Sequence, residues 1–154
     1  MKKNTLLFAA TTAILAMAAA GVGAQTDPVY EAELEEIAVK VANETVQGGY
    51  KLLTMAQLKK MIDAKEDMLL LDAHPPEEFV KGHVVGAVNF GFLANPVGKW
   101  EQEALGKSKN AYLKALGPNL NRKIVFYCGF TKCGRSHAAA QWAKEFGYNN
   151  LYRA

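Results

Sequence analysis

The sequence predicts an α/β domain around a mainly parallel sheet, on three observations. From Tyr50 onward, short apolar runs alternate with stretches of helical periodicity. Two of the runs, MLLLDA (68–73) and KIVFYC (123–128), are apolar without alternation, as strands buried on both faces should be. At 154 residues, half of them apolar, the chain is long enough for one domain with a substantial core. It contains no internal repeat and no low-complexity tract.

Taken in order, the chain opens with MKKN, a short basic start, followed by the apolar run TLLFAATTAILAMAAA. Val22–Ala24 then supplies a small-residue cleavage site, so residues 1–24 read as a secretory signal peptide. Residues 25–48 form a polar lead-in with one amphipathic helix, in which Leu34, Ile37 and Val41 repeat at helical spacing and pack on the domain's flank. The domain proper covers 49–154. YKLL leads into Thr54, a good N-cap for the helix MAQLKKMIDA. MLLLDA is a buried strand, EEFVKG a short helical turn, and AVNF (87–90) a second brief strand. GKWEQEALGKSKNAYLKALG (98–117) reads as one long helical excursion. KIVFYC is the strongest strand signal. SHAAAQWAKEFG then makes a helix with Ala139, Trp142, Ala143 and Phe146 on one face and Gly147 as its stop. NLYRA begins a last strand.

Charge narrows the functional classes. Of 18 basic and 15 acidic residues, cleavage after Ala24 removes only Lys2 and Lys3, so a formal charge of +3 falls to +1. A nearly neutral domain offers no electrostatic footprint for nucleic acid. Outside the leader no segment approaches the roughly 20 apolar residues needed to cross a bilayer, so no stable membrane insertion is expected after cleavage.

In open α/β sheets, ligands bind beyond the carboxyl ends of the strands. Two strand ends therefore matter, Asp72–His74 and Cys128. A thiolate is the nucleophilic form of cysteine, and cations and helix N-termini favour it. Between Cys128 and the helix from about Ser136 lie Gly129, Lys132, Gly134 and Arg135. The glycines let backbone N–H groups turn inward as an anion-binding nest, and the two cations add charge for an anionic substrate. The alternative for Cys128 is an inert thiol buried at the end of a core strand. Cys133, four residues further on, is either a staple closing a very small ring or a resolving partner for a modified Cys128. A structural zinc site lacks its second ligand pair.

These residues resemble the rhodanese-like sulfurtransferase family. IVFYCGFTKCGRSHAAA resembles that family's strand, catalytic cysteine loop and helix. LLLDAHPPEEFVKGHVVGAVNF resembles its upstream signature, matching at Asp72, Glu78, Gly82, His83, Gly86 and Ala87, with Val84 in place of Ile. The resemblance spans about residues 50–154. It implies a parallel sheet flanked by helices, with no cofactor and no metal. Cys128 would be the catalytic nucleophile, and Gly129, Phe130, Thr131, Lys132, Cys133, Gly134 and Arg135 the substrate-binding loop. Sulfur would pass from an anionic donor such as thiosulfate, through a Cys128 persulfide, to a thiol or other thiophilic acceptor. Three departures mark this chain. Six residues separate Cys128 from Arg135 where the family has four, one more than in the Cys-x5-Arg loop of related phosphatases. His74 replaces the usual Arg and, with Asp72, is a candidate modulator of Cys128. The sequence stops after NLYRA, where relatives continue with a Gly-Gly turn and a helix containing Trp, so either the sequence is truncated or one flank of the sheet is bare.

The resulting expectation is an exported, periplasmic sulfurtransferase. Two alternatives stay open: a non-catalytic binding module whose cysteines are permanently paired, and a thiol–disulfide redox protein in which they cycle.

Overall fold

The computed structural model describes residues 28–130 and 132–154; the signal peptide assigned to 1–24 lies outside the described residues. In chain order the elements are α1 (Pro28–Gly48), β1 (Lys51–Leu52), α2 (Met55–Asp63), β2 (Leu69–Asp72), α3 (Pro76–Phe79), β3 (Val88–Asn89), α4 (Trp100–Glu103), α5 (Lys109–Leu116), β4 (Ile124–Tyr127), α6 (Gly134–Glu145) and β5 (Leu151–Arg153). The strands form one sheet in the order β1-β5-β4-β2-β3, and every pairing is parallel. This is the α/β architecture that the alternating pattern predicts.

The two continuous apolar runs lie side by side. β2 pairs with β4 from Leu69↔Ile124 to Asp72↔Tyr127, and all eight residues are buried. Pleating divides them. Leu69, Leu71, Ile124 and Phe126 enter the larger core with the α6 alanines. Leu70, Val125 and Tyr127 meet Leu58 of α2 on the other face, where Tyr152 and Ala154 are only partly covered. Each large apolar side chain so buried contributes about 1.5–3 kcal/mol. The register also sets the site. Ala73 N donates to Tyr127 O at 3.0 Å, so both chains leave the sheet as neighbours.

Thr54 caps α2 as expected: Gln57 N donates to its hydroxyl at 3.1 Å, and Thr54 N donates to the Gln57 side chain at 2.8 Å. Residues 98–117 depart from the single long helix. Leu105 (φ 52°) and Gly106 (φ 75°) break it, and Ser108 caps a second helix. The reason is packing. On a straight helix Trp100 and Tyr112 would stand about 18 Å apart along the axis. The break brings their rings to 5.4 Å, in one aromatic cluster with Phe90, Phe92, Trp142 and Phe146.

α1 lies against α6. Of its predicted stripe, Val41 is buried, Ile37 half-buried and Leu34 exposed, so only the C-terminal half packs. Gly134, which opens α6, has no room for a side chain: a Cβ there would stand 2.4 Å from Ala94 O and 2.8 Å from Pro96 Cδ. Gly147 stops α6 at φ +93°.

Candidate active site

Two strand ends build one side of the site. Asp72, fully buried at the end of β2, accepts from the backbone N–H of His74 at 2.8 Å and from His74 Nδ1 at 2.8 Å. The second bond places the Nδ1 proton on the carboxylate side and leaves Nε2 to face the cleft. That nitrogen lies 3.8 Å from Glu78 Oε2 and 3.2 Å from where a Cβ on Gly129 would sit. His74 therefore reaches the cysteine loop, with Gly129 making the room, and Asp72 holds His74 from behind. Asn89 secures the strand-end turn by donating to the carbonyls of Asp72 and His74 at 3.2 and 2.8 Å. His83 stacks on Phe79 and bonds the Phe79 carbonyl at 3.0 Å, while Val84 N donates to the Tyr127 hydroxyl at 3.0 Å. Val84 of the upstream signature thus braces β4 and His83 the end of α3, while Glu78 of the same signature reaches His74 and Arg135.

The other side is the loop after β4. Cys128 is half-buried, with its sulfur 3.2 Å from Ser136 Oγ and 3.5 Å from the Cys133 carbonyl. Cys133 is buried at the N-cap of α6, and its N–H donates to Phe130 O at 3.0 Å to close the turn. Phe130 itself is exposed. Thr131 lies outside the described residues. Neither cation adjoins Cys128 in the way that the loop's composition implies. Lys132 is drawn outward, its Nζ 2.8 Å from Glu33 Oε1 of α1 and its carbonyl held by Lys40 at 2.8 Å. Arg135 donates to Glu78 at 3.2 Å and lies 4.0 Å from the Cys133 sulfur, with its buried Nε unpartnered.

The two thiols are both free, and each shifts the titration of the other. The hydrogen bond from Cys128, then the backbone N–H and the charge of Arg135, bring Cys133 down to about 5. Cys128 is pushed up by the same hydrogen bond and by burial, against the hydroxyl and backbone N–H of Ser136, which pull it down. A low-pKa thiolate at a helix N-terminus follows from the partial positive charge there.

Over residues 54–153 the sequence matches the family described as Rhodanese-like domain. The chain belongs to the rhodanese-like domain family. This rhodanese-like chain is similar to several solved structures. The human single domain sulfurtransferase TSTD1 is 26% identical, with a TM-score of 0.44 over 66% of this chain and 86% of that one. The Saccharomyces cerevisiae single domain sulfurtransferase RDL2 is 23% identical, with a TM-score of 0.48 over 68% and 81%. The Wolinella succinogenes polysulfide-sulfur transferase homodimer is 16% identical, with a TM-score of 0.49 over 84% and 82%. No curated protein matches the sequence. Membership of the rhodanese-like family supports a sulfurtransferase-type role.

Three residues that shape this rhodanese-like site escape the sequence reading. Arg153, only 3% exposed on β5, donates to Ser136 Oγ at 2.9 Å, to Glu44 Oε2 at 2.5 Å and to the Cys133 carbonyl at 2.9 Å. Breaking such a buried pair by removing one partner costs on the order of 3–5 kcal/mol. The signal in the sequence is an arginine inside the short apolar strand NLYRA, where a charge requires a buried partner. Among the described residues, no group of three or more His, Cys, Asp or Glu side chains could hold a metal ion.

Proposed function

We propose that the protein transfers a sulfane sulfur from a small anionic donor to a thiol, with Cys128 as the carrier. The observation that carries this reading is the place of Cys128. It follows the buried strand β4 directly, half-buried, with its thiol donating to Ser136 Oγ at the start of α6 at 3.2 Å. With thiosulfate as donor, Cys128 passes its proton to the Cys133 thiolate and attacks the outer sulfur, the donor's S–S bond breaks, and sulfite leaves with the electron pair. An acceptor thiolate then attacks the outer sulfur of the persulfide, and Cys128 departs as the thiolate. Charge and atoms balance in each half.

The chemistry asks little else of the protein. Backbone and hydroxyl donors at the start of α6 stabilise negative charge on sulfur, and a half-buried site limits hydrolysis of the persulfide. The basic, apolar and small-residue sequence of 1–24 supports an exported, periplasmic setting.

The test is steady-state sulfite release from thiosulfate with a thiol acceptor. Cys128→Ser abolishes it and Cys133→Ser retains part of it; full activity in Cys128→Ser removes the nucleophile assignment. A second reading, thiol–disulfide exchange, is favoured by two free cysteines in one turn, with the Cys128 sulfur 3.5 Å from the Cys133 carbonyl. Its support would be turnover on protein thiols with a reduction potential near those of periplasmic oxidants or reductants.

A further inference from the structure

Beneath the loop, four segments meet on one buried guanidinium. Arg153 of β5 directs Nε at Ser136 Oγ of α6 (2.9 Å), Nη1 at Glu44 of α1 (2.5 Å) and at the Tyr50 hydroxyl (3.1 Å), and Nη2 at the carbonyl of Cys133 (2.9 Å). Ser136 is 1% exposed, and its oxygen stands 3.2 Å from the sulfur of Cys128. Glu44 belongs to α1, outside the residues 54–153 that match the family.

A hydroxyl has one proton and two acceptor lone pairs. A guanidinium is always protonated in a protein, so Arg153 permanently occupies one of the Ser136 lone pairs. A neutral thiol at Cys128 can still donate to the other lone pair. Once the sulfur is anionic, it has no proton to give, and the Ser136 proton turns toward it. The same guanidinium binds the Cys133 carbonyl, whose oxygen faces the Cys128 sulfur at 3.5 Å, and so draws negative charge away from it.

We propose that Ser136 is a catalytic residue that donates its hydroxyl proton in a hydrogen bond to the anionic sulfur of Cys128, and that Arg153, anchored by Glu44, is the positioning residue that aims it. For sulfur transfer this rests on Cys128 being the carrier. The benefit then falls mainly on the second half-reaction, where Cys128 leaves as a thiolate. In the first half, a stabilised thiolate is more abundant but intrinsically less nucleophilic.

The titratable and charged groups around the cluster are Cys133 in the loop, His74 after β2 against Gly129, Arg153 on β5, Glu44 and Lys40 on α1, Tyr50 before β1, and Arg135 and His137 on α6. Glu44 lies between Arg153 and Lys40, and the Tyr50 hydroxyl bonds the His137 ring at 3.0 Å. Cys133 is the one that competes for the Cys128 proton, so the test is made in a Cys133→Ser background.

The test is the pH profile of Cys128 alkylation by iodoacetamide in the full chain. Adding Ser136→Ala moves the midpoint up by about one pH unit, and alkylation below the midpoint slows about tenfold, the effect of losing one hydrogen bond to a charged group. Arg153→Lys keeps the charge against Glu44 while removing the fork, and it moves the midpoint in the same direction. An unmoved midpoint in Ser136→Ala overturns the role of Ser136, and an unmoved midpoint in Arg153→Lys overturns that of Arg153. With thiosulfate and glutathione, Ser136→Ala slows discharge of the sulfur more than its loading; an equal loss in both steps also overturns the proposal. A chain that shows these alkylation shifts but takes no sulfur from thiosulfate would sink the sulfur-carrier reading and leave the Ser136–Arg153 assignment standing.

Discussion

Arg135 donates to Glu78 at 3.2 Å, so the loop cation beside the Cys133 sulfur is already partnered by the upstream signature. The other Glu78 oxygen lies 3.8 Å from His74 Nε2, and His74 is itself held by Asp72. Asp72, His74, Glu78 and Arg135 thus form one chain of charge along the cleft wall. A donor anion must compete with Glu78 for Arg135. Glu78→Gln should therefore lower KM for thiosulfate by up to about fivefold, the range of a partly exposed ion pair, with kcat less affected. Steady-state kinetics at low salt measures it. A KM that rises would mean that Glu78 organises Arg135 rather than masks it.

Lys132 is engaged in the same way from the opposite side, by Glu33 of α1 at 2.8 Å. That pair is exposed, and the hydrogen bond from Lys132, then its charge, lowers the Glu33 carboxyl below its usual value. Glu33→Gln is expected to release Lys132 and lower KM for an anionic donor. The gain should fade as ionic strength rises, because salt screens exposed charges. A gain that persists in high salt would point to loop rearrangement instead.

The start of α6 is sterically closed. A Cβ at Gly134 would meet Ala94 O at 2.4 Å and Pro96 at 2.8 Å, and the first of these is backbone. Gly134→Ala should cost about 1–3 kcal/mol by overpacking. It should also displace the turn that carries Cys133 and Arg135, so activity falls together with the urea midpoint. An unchanged midpoint would show that the 94–96 segment yields freely.

The lowered Cys133 thiol predicts a pH dependence of stability. Cys133 has a folded value of about 5, below its usual 9.0, so the folded state binds this proton less tightly than the unfolded chain. Its contribution is therefore complete above about pH 9 and is lost as pH falls through about 5. The difference in urea midpoint between the parent chain and Cys133→Ser should grow over that interval. A constant difference would mean that the fold does not lower Cys133.

Much of the fold was legible in the sequence because its period was unambiguous. The apolar runs at 68–73 and 123–128 became the central strands β2 and β4, and Thr54 announced the start of α2. Residues 98–117 misled because helical periodicity persists across Leu105 and Gly106, while the break is set by where Trp100 and Tyr112 must meet. At the site, the family motif located Cys128 and His74 but not what the cations do. Lys132 and Arg135 find carboxylates on distant segments, Glu33 and Glu78, and no local spacing reveals such partners. Ser136 and Arg153 stayed hidden for the same reason: their link spans 17 residues and closes only when β5 enters the sheet.

The most direct test of the account is the intact mass of the full chain under non-reducing conditions, before and after thiosulfate, with fragmentation to place any added atom. Sulfur transfer through Cys128 predicts a gain of one sulfur, mapped to Cys128, absent from Cys128→Ser and removed by a thiol. A resting mass two hydrogens light that persists through thiosulfate, with no sulfur gained, would mean a standing Cys128–Cys133 disulfide and contradict the sulfur-carrier role.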